Sequence, residues 1–542
     1  MSGWLLFICC GLLLTACTSK KNADLLVYNA TIYTVDSSFS TADAMVIKDG
    51  KIVAVGKKSK LEKEYQSKNN LNAEGKYIYP GFIDAHAHFV GYAKGLGAVD
   101  LVNTTSWNAV LARFSDFKTD GDTTSWIIGR GWDQNDWPVK EFPTNEELNK
   151  RYPNRPVYLS RIDGHAALAN NKALELAGVK AGDTISGGIY QVKNGRLTGL
   201  LIDNAMDKVA AKIPDPSLTA MKTLVLQAQK NCFGVGLTGI HDCGLDYETV
   251  EKIAALQQCG ELKMRLYILL SDAKKNYEYL AKKGIIKTDR LNVRGFKLYA
   301  DGALGSRGAC LLHDYADKPG WKGFLLSNPA HFDSMAALIK KNNWQMCTHA
   351  IGDSGNRTLL KIYAKYLDGK NDRRWRIEHA QVISPEDFHL FGDNSIVPSV
   401  QPTHATSDMY WAGDRLGKER LKGAYAYQQL LKENGWIPLG TDFPVEDISP
   451  LKTFYAAVVR KDAKGFPANG FQVENALTRE QALRGMTIWA ARAAFEEKEK
   501  GSLEPGKFAD FVILDGDLMT EPEAGVLTAK VLKTYIGGER VF

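Results

Sequence analysis

The feature that most limits the fold of this chain is a series of eight short apolar segments separated by stretches of helical character. Their sequences are YIYPGFIDAHAH, GLTGIHDCG, MRLYILL, RGFKLYADG, WQMCTHAIGD, WRIEHAQ, SIVPSVQPT and WIPLGTD. Short apolar runs that alternate with helices are typical of parallel strands joined by crossover helices. Eight such units predict an α/β fold of the (β/α)8 TIM-barrel class.

Strand signals also occur at both ends of the chain. LLVYNATIYTV and AMVIKDGKIVAVG lie near the N-terminus, and FADFVILDGD and VLKTYIGGERVF lie near the C-terminus. Asp49-Gly50 and Gly537-Gly538 are typical hairpin turns within these segments. We therefore predict a small composite β-sandwich domain of residues 24–78 and 500–542, attached to a barrel of residues 79–499.

The first two barrel segments are separated by roughly 150 residues, which is far longer than a barrel loop. This stretch contains strand candidates of its own, SWIIGRGW and PVYLSRIDG. Residues from about 91 to 225 are therefore predicted to form an insertion over the mouth of the barrel.

The N-terminus has the character of a targeting segment. WLLFICCGLLLTAC is too short for a convincing membrane-spanning helix, and it is followed by the polar residues TSKKN. It resembles a bacterial lipoprotein signal of residues 1–17 that is cleaved before a lipid-carrying Cys17. We expect an exported protein of the bacterial cell envelope, anchored to a membrane by lipid at Cys17. An ordinary cleaved signal and an N-terminal anchor are the alternatives.

The net charge of +6 is small for 542 residues, and no long block of lysine and arginine occurs. A nucleic-acid partner is therefore not expected. Five cysteines remain after the signal, without the spacing of a zinc site, and are interpreted as mostly buried thiols. The expected partner is a small-molecule substrate, and a homo-oligomer is left open.

Side chains able to bind a metal ion occur at the C-terminal ends of the predicted strands, where barrel enzymes assemble their active sites. His86 and His88 are two residues apart, so on a strand they leave the same face. Neutral imidazoles and a carboxylate suit a zinc-like ion that lowers the pKa of a bound water towards about 7. The residues at these strand ends are His86, His88, His241, Lys297, Asp301, His349, His379 and Asp442. One strand-end histidine is commonly structural, but the set as a whole predicts a metal centre, in which His241 is interpreted as a supporting or structural residue and not as a ligand.

Eight motifs occur along nearly the whole chain after the signal: PGFIDAHAH, DGHAALANNKALELAGV, FKLYADGALGSRGA, THAIGD, RIEHAQ, QPTHATSD, GTDFPV and GSLEPGKFADFVILD. With them the chain resembles the amidohydrolase superfamily, in particular the amidohydrolase-3 branch, which includes N-substituted formamide deformylase-like metal-dependent hydrolases. The resemblance implies one or two divalent metal ions, with zinc as the expected ion. One ion would be held by His86, His88 and Asp442. A second would be held by His349 and His379, with Lys297 as a bridge if that lysine is carboxylated. A mononuclear site of His86, His88, His349 and Asp442 is the alternative.

Four further residues are predicted to contact the substrate. The resemblance places His165 facing the substrate, with a helix-capping role as its alternative. Trp132 lies in the turn-rich segment GRGWDQNDWP and could line a pocket or fill a core. Asp301 is at the end of the fourth predicted strand. The planar guanidinium of Arg307 could bind a carboxylate or form a structural ion pair.

The function predicted from these features is a metal-dependent hydrolase of non-peptide C–N bonds in amides, N-acyl or N-formyl amines. Metal-bound hydroxide would attack the carbonyl carbon, and Asp442 would pass the proton to the departing nitrogen. Ester or lactone hydrolysis, or isomerisation, on the same site is one alternative, since a barrel does not determine its reaction. A catalytically inactive surface binding protein is the other.

Overall fold

The computed structural model of the chain describes residues 20–115 and 125–542. The predicted signal peptide and Cys17 lie outside the described residues. Among the residues that the structure describes, no helix combines the length and the apolar character needed to cross a membrane.

The strands are numbered along the chain. Four precede the barrel: β1 (Lys21–Tyr33), β2 (Thr41–Lys48), β3 (Lys51–Gly56) and β4 (Tyr65–Pro80). The next strand and those of the insertion are β5 (Phe82–Ala87), β6 (Val99–Asp100), β7 (Ile127–Trp132), β8 (Val157–Arg161), β9 (Ala166–Ala169), β10 (Gly188–Lys193) and β11 (Arg196–Asp203). Seven follow in the barrel region: β12 (Leu237–Leu245), β13 (Arg265–Ser271), β14 (Ile286–Lys287), β15 (Leu291–Tyr299), β16 (Gln345–Ala350), β17 (Arg376–His379) and β18 (Val397–Ser399). The last three are β19 (Phe511–Leu514), β20 (Val531–Ile536) and β21 (Glu539–Arg540).

The helices are numbered in the same way. Up to the second barrel strand they are α1 (Lys58–Glu64), α2 (Phe89–Gly95), α3 (Trp107–Ser115), α4 (Glu146–Arg151), α5 (Asn171–Leu176), α6 (Asp207–Ala210) and α7 (Leu218–Gly234). The others are α8 (Tyr247–Gln258), α9 (Lys274–Lys283), α10 (Pro329–Lys341), α11 (Asp353–Leu367), α12 (His389–Asp393), α13 (Pro402–Asp408), α14 (Ala412–Leu421), α15 (Tyr427–Asn434), α16 (Pro450–Val459), α17 (Arg479–Gly485), α18 (Ile488–Ala493) and α19 (Glu523–Thr528).

The predicted barrel is confirmed. Strands β5, β12, β13, β15, β16, β17 and β18 pair in parallel in that order. Their outward-facing apolar side chains and those of the surrounding helices form the largest buried core.

The eighth predicted segment, WIPLGTD, closes the barrel without forming a regular strand. The Gly440 N–H donates to the carbonyl of Val400, and the Ala85 N–H donates to the carbonyl of Leu439, at 3.0 and 3.1 Å. These bonds connect the end of β18 to β5 through one short segment. Pro438 has no N–H to donate, which limits the strand pairing available here.

Strands from both chain ends form one seven-stranded sheet in the order β21-β20-β19-β4-β1-β2-β3. The Ile52 N–H donates to the carbonyl of Lys507, and the Ala509 N–H donates to the carbonyl of Gly50, each at 2.9 Å. The β3 side of the sheet therefore meets the chain that leads into β19. Side chains from β1, β2, β4, β19 and β20 share one buried cluster, so the sheet folds over a common core in the manner of a sandwich.

The insertion contains a six-stranded sheet in the order β10-β11-β9-β8-β7-β6. The two strand candidates of this region are β7 and β8, and the sheet falls within the predicted span of 91–225. It has a buried core of its own. Helix α7 then leads the chain back to β12.

Candidate metal centre

Backbone pairing places Asp442 beside the two histidines of the first barrel strand. The Asp442 N–H donates to the carbonyl of His86 at 2.7 Å, and the His88 N–H donates to the carbonyl of Phe443 at 2.8 Å. The carboxylate atom Oδ1 of Asp442 lies 3.5 Å from Nε2 of His86 and 3.2 Å from Nε2 of His88. Three donor groups from the first and eighth barrel segments thus converge on one point.

These three groups fit a divalent cation. Their donor atoms all lie within 4.8 Å of one another, and Oδ1 of Asp442 is buried without a hydrogen-bond partner among the described residues. Nδ1 of His86 lies 2.5 Å from Oε2 of Glu378. A carboxylate can only accept, so this contact assigns the hydrogen to Nδ1 and leaves the Nε2 lone pair towards Asp442. Imidazole nitrogens and a carboxylate are the ligand types of zinc sites.

The electrostatic surroundings favour the protonation states that bind metal. Burial lowers the pKa of His86 to about 4, and the charge of Lys297 acts in the same direction. Burial alone would raise the pKa of Asp442, but the proximity of His88 and His86 holds that pKa well below its usual range. At neutral pH the site therefore presents a neutral imidazole and an ionised carboxylate, as metal binding requires.

The other predicted ligands lie in the same cluster. The ring centroid of His379 is 4.8 Å from that of His86 and 4.6 Å from that of His349. Nζ of Lys297 lies 3.2 Å from Nε2 of His86. The structure therefore brings all the predicted ligands together at the C-terminal ends of the barrel strands.

His404, in α13, adds a nitrogen that is absent from the predicted ligand set. Its Nε2 lies 3.7 Å from Oδ2 of Asp442, and the two form with His379 a second group of donor atoms within 4.8 Å. Nδ1 of His379 lies 2.7 Å from Oε1 of Gln401, which leaves Nε2 available. Asp442 therefore belongs to both groups of donor atoms.

Glu378 is a residue of the candidate site that the sequence analysis missed. Its Oε2 contacts His86, while its Oε1 accepts a hydrogen bond from Nε of Arg376 at 2.6 Å. All three side chains are fully buried. Burial opposes ionisation of Glu378, but Arg376 and His86 outweigh it and keep the pKa of this carboxyl well below its usual range. The available signal was the pattern Arg-x-Glu in a buried strand, which puts two opposite charges on one face.

A cavity of about 790 Å³ opens from the cluster and is lined by both the barrel and the insertion. His165, which is predicted to contact substrate, lines this cavity. Its Nδ1 lies 2.7 Å from Oδ1 of Asp203, and its ring centroid is 4.9 Å from that of His349. Burial opposes protonation of His165, but the hydrogen bond with Asp203 raises its pKa overall.

The prediction that Trp132 contacts substrate is wrong. Its side chain is fully buried in the core of the insertion, where it packs against Trp137 and donates from Nε1 to the carbonyl of Leu159 at 2.9 Å. Strand β7 has an irregular register between Arg130 and Trp132, around Gly131 with φ of +112°. Such a bulge changes which face the following side chain takes, so Arg130 lines the cavity and Trp132 does not.

The same prediction is wrong for Asp301 and Arg307, which do not line the cavity. Asp301 is fully buried, and its carboxylate accepts hydrogen bonds from the N–H groups of Ile351–Gly352 and Cys310, at 2.8 to 3.0 Å. It therefore connects the loops that follow β15 and β16. The guanidinium of Arg307 donates to Asp317 at 2.8 Å, which is the structural ion pair left open as the alternative.

Comparison with known proteins gives consistent matches over nearly the whole chain. A family model described as the amidohydrolase family matches residues 70–542. Protein LONG AFTER FAR-RED 3 of Arabidopsis thaliana is 35% identical over 538 residues, covering 96% of this chain and 92% of that protein. N-substituted formamide deformylase of Arthrobacter pascens is 25% identical, covering 95% of this chain and 97% of that protein. The crystal structure of an uncharacterized metal-dependent hydrolase from Pyrococcus horikoshii OT3 has a TM-score of 0.75 at 26% identity, covering 92% of this chain and 99% of that one.

Proposed function

The chain belongs to the amidohydrolase family, and from that premise we propose that it is a metal-dependent hydrolase of amide-type C–N bonds in N-acyl or N-formyl amines. The observation that carries the proposal is the group of His86, His88 and Asp442 at the base of the cavity, with Oδ1 of Asp442 buried and unpaired. An unpaired buried carboxylate oxygen beside two imidazole nitrogens is costly unless a cation balances it.

Zinc is the proposed ion, and His86, His88 and Asp442 would be its first ligands. A second ion would use His349 and His379, with Lys297 as a bridge when carboxylated. A bound zinc ion supplies Lewis-acid chemistry, since it polarises a substrate carbonyl and lowers the pKa of a water ligand.

Asp442 is the residue to which we assign proton transfer. Its carboxylate takes a proton from the attacking water as the new C–O bond forms, and delivers it to the nitrogen as the C–N bond breaks. His165 faces the same cavity, and its raised pKa favours a form that donates a hydrogen bond from Nε2. We assign it to orienting the substrate carbonyl oxygen.

The name of one relative supports an amide as the substrate rather than an ester, and the cavity volume bears on the size of that substrate. The relative from Arthrobacter pascens is named for the deformylation of N-substituted formamides, and its match extends over 97% of its length. The cavity of about 790 Å³ is within the range of small-molecule sites. A substrate of this size would be surrounded by both the barrel and the insertion.

The test is an assay of zinc-loaded enzyme on an amide, an ester and a lactone that share one acyl group. We expect amide hydrolysis, and a loss in kcat/KM of roughly 100-fold or more in His86→Ala and in Asp442→Asn. The His86→Ala variant should also lose bound zinc. His389→Ala, whose side chain is 59% exposed, is the matched histidine control and should behave as wild type. Unchanged amide turnover in both site variants would contradict the proposal, and turnover of the ester alone would replace it with ester hydrolysis.

We also propose that the protein is exported and lipid-anchored at Cys17. The motif Leu-Thr-Ala-Cys at the end of the apolar run supports this proposal. Cys17→Ser should abolish incorporation of a labelled fatty acid and release the protein from the membrane fraction. Cys259→Ser changes an exposed cysteine and is the control. A Cys17→Ser protein that still incorporates the fatty acid and stays in the membrane fraction would contradict the proposal.

A further inference from the structure

The cavity walls beyond the metal ligands carry several carboxylates, and some of them are already neutralised. Arg161 forms ion pairs with both Asp133 and Asp163. Asp447 pairs with Lys452 at 2.6 Å. These acidic side chains have their own cations and need none from a ligand.

Asp408 and Glu446 differ from them because their partners are neutral. Oδ2 of Asp408 accepts from the hydroxyl of Tyr425 at 2.8 Å, and Oε1 of Glu446 accepts from the hydroxyl of Ser407 at 2.6 Å. Within the described parts of the chain, neither carboxylate has a lysine or arginine nitrogen within 4.0 Å. Both line the cavity, and the side chain of Glu446 is only 18% exposed. Burial raises the pKa of Asp408 to about 7, which reflects the cost of holding this charge without a cation.

An independent observation indicates that this wall is built to meet a ligand. His404 lines the cavity and is 8% exposed, and its Nε2 has no hydrogen-bond partner among the described residues. That nitrogen lies 4.0 Å from Oε1 of Glu446 and 3.7 Å from Oδ2 of Asp442. It therefore lies between the reactive end of the cavity and the two uncompensated carboxylates. A neutral imidazole can present a lone pair at this position, so the wall offers acceptors to a donor group.

We propose that the substrate carries a protonated nitrogen base and that Asp408 and Glu446 bind it. The inference rests on the proposed amide hydrolysis, and it names the substrate class as acylated amines with a second, basic nitrogen. A cation on the ligand would balance two carboxylates that no lysine or arginine of the wall balances. Arg130 also lines the cavity, but its guanidinium donates to the carbonyls of Pro444 and Ile162, so it is directed towards the surrounding loops.

The test compares three acetamides with a five-carbon chain on nitrogen that ends in a cation, a methyl group or an anion. They are N-(5-aminopentyl)acetamide, N-pentylacetamide and 5-acetamidopentanoate, together with their N-formyl equivalents. We expect wild type to have a kcat/KM on the cationic compound roughly 10- to 100-fold above that on the neutral one. Glu446→Gln should reduce this preference at least tenfold, by lowering kcat/KM on the cation alone, with zinc content unchanged. Asp408→Asn tests the same site independently and should act in the same direction.

Asp447→Asn is the matched control, because it removes a carboxylate of the same cavity that already has a lysine partner. If Asp447→Asn lost the preference for the cationic compound to the same extent, the effect would be a general one of cavity charge. That result would overturn the assignment of the cation site to Asp408 and Glu446. Amide turnover without a preference for the cation, or with a preference for the anion, would overturn the inference and leave the proposed function intact.

Ester turnover without amide turnover would instead overturn the proposed function. In that case the cation site is tested independently of turnover, by measuring the binding of pentylammonium and of pentanol by calorimetry. Binding of pentylammonium that Glu446→Gln abolishes supports the site, and equal binding of the two compounds overturns it.

Discussion

Replacing Glu378 by glutamine should weaken metal binding without touching a metal ligand. The carboxylate of Glu378 lies 2.5 Å from Nδ1 of His86, and both side chains are fully buried. Glutamine keeps the shape and one acceptor oxygen but removes the charge that orients the imidazole and increases its basicity. Loss of such a partner typically costs about 10- to 100-fold in metal affinity. This corresponds to about 1.4 to 2.8 kcal/mol of binding free energy.

The same substitution has a second consequence for the metal-free protein. Arg376 donates to Glu378 and is itself fully buried. Removing one member of a buried ion pair costs about 3–5 kcal/mol of unfolding free energy, because the remaining charge is left uncompensated. Because glutamine can still accept the hydrogen bond from Arg376, we expect a loss at the lower end of that range.

Competition with a chelator of known zinc affinity measures the first effect, and urea denaturation of the metal-free protein measures the second. Glu419→Gln is the control, since the side chain of Glu419 is 83% exposed and should change neither quantity. A folded Glu378→Gln protein with a zinc affinity within about twofold of wild type would refute the role of Glu378, since the expected loss is at least tenfold.

Three further predictions follow from the same contacts. Trp132→Ala should lower the free energy of unfolding by roughly 3–5 kcal/mol in urea denaturation and leave KM unchanged, because this buried side chain does not line the cavity. Removing zinc with a chelator should lower the midpoint of thermal unfolding of the wild type, since an ion present at 1,000 times its Kd contributes about 4 kcal/mol to stability. The midpoint of His86→Ala should not change, because this variant is expected to bind no zinc. Between pH 6 and 8, kcat/KM for a cationic substrate should rise relative to that for a neutral substrate. The reason is that Asp408, which lies near Tyr425 and Glu446 and has a pKa of about 7, becomes ionised over this interval. Asp408→Asn should remove the rise, and an unchanged rise in this variant would contradict the assignment.

The clustering of the candidate metal ligands could be predicted because two general rules act together. Alternation along a strand fixes which residues share a face, and the barrel fixes at which end of each strand the active site forms. His86, His349 and His379 occupy such positions and lie within one cluster. Asp442 needed no regular strand, because single backbone hydrogen bonds hold its segment beside β5.

The residues around the ligands were harder to predict, because their roles depend on contacts between distant segments. Asp301 satisfies three backbone N–H groups of loops that meet only in the folded chain. Trp132 is turned away from the cavity by a single irregularity at Gly131. Glu378 acts on a histidine 292 positions earlier in the chain. None of these relations leaves a periodic signal in the sequence.

The positions of these contacts separate two properties that mutations can change independently. Glu378 and Arg376 support His86 from inside the barrel. Changes there should alter the affinity for metal and therefore the turnover of every substrate. Asp408 and Glu446 lie on the wall of the cavity and do not contact His86 or His88 in the described ion pairs. Changes there should alter which substrate is chosen while the metal stays bound. If the proposed roles are correct, such a barrel can change its specificity through its loops, because the carboxylates assigned to substrate binding are not among the candidate metal ligands.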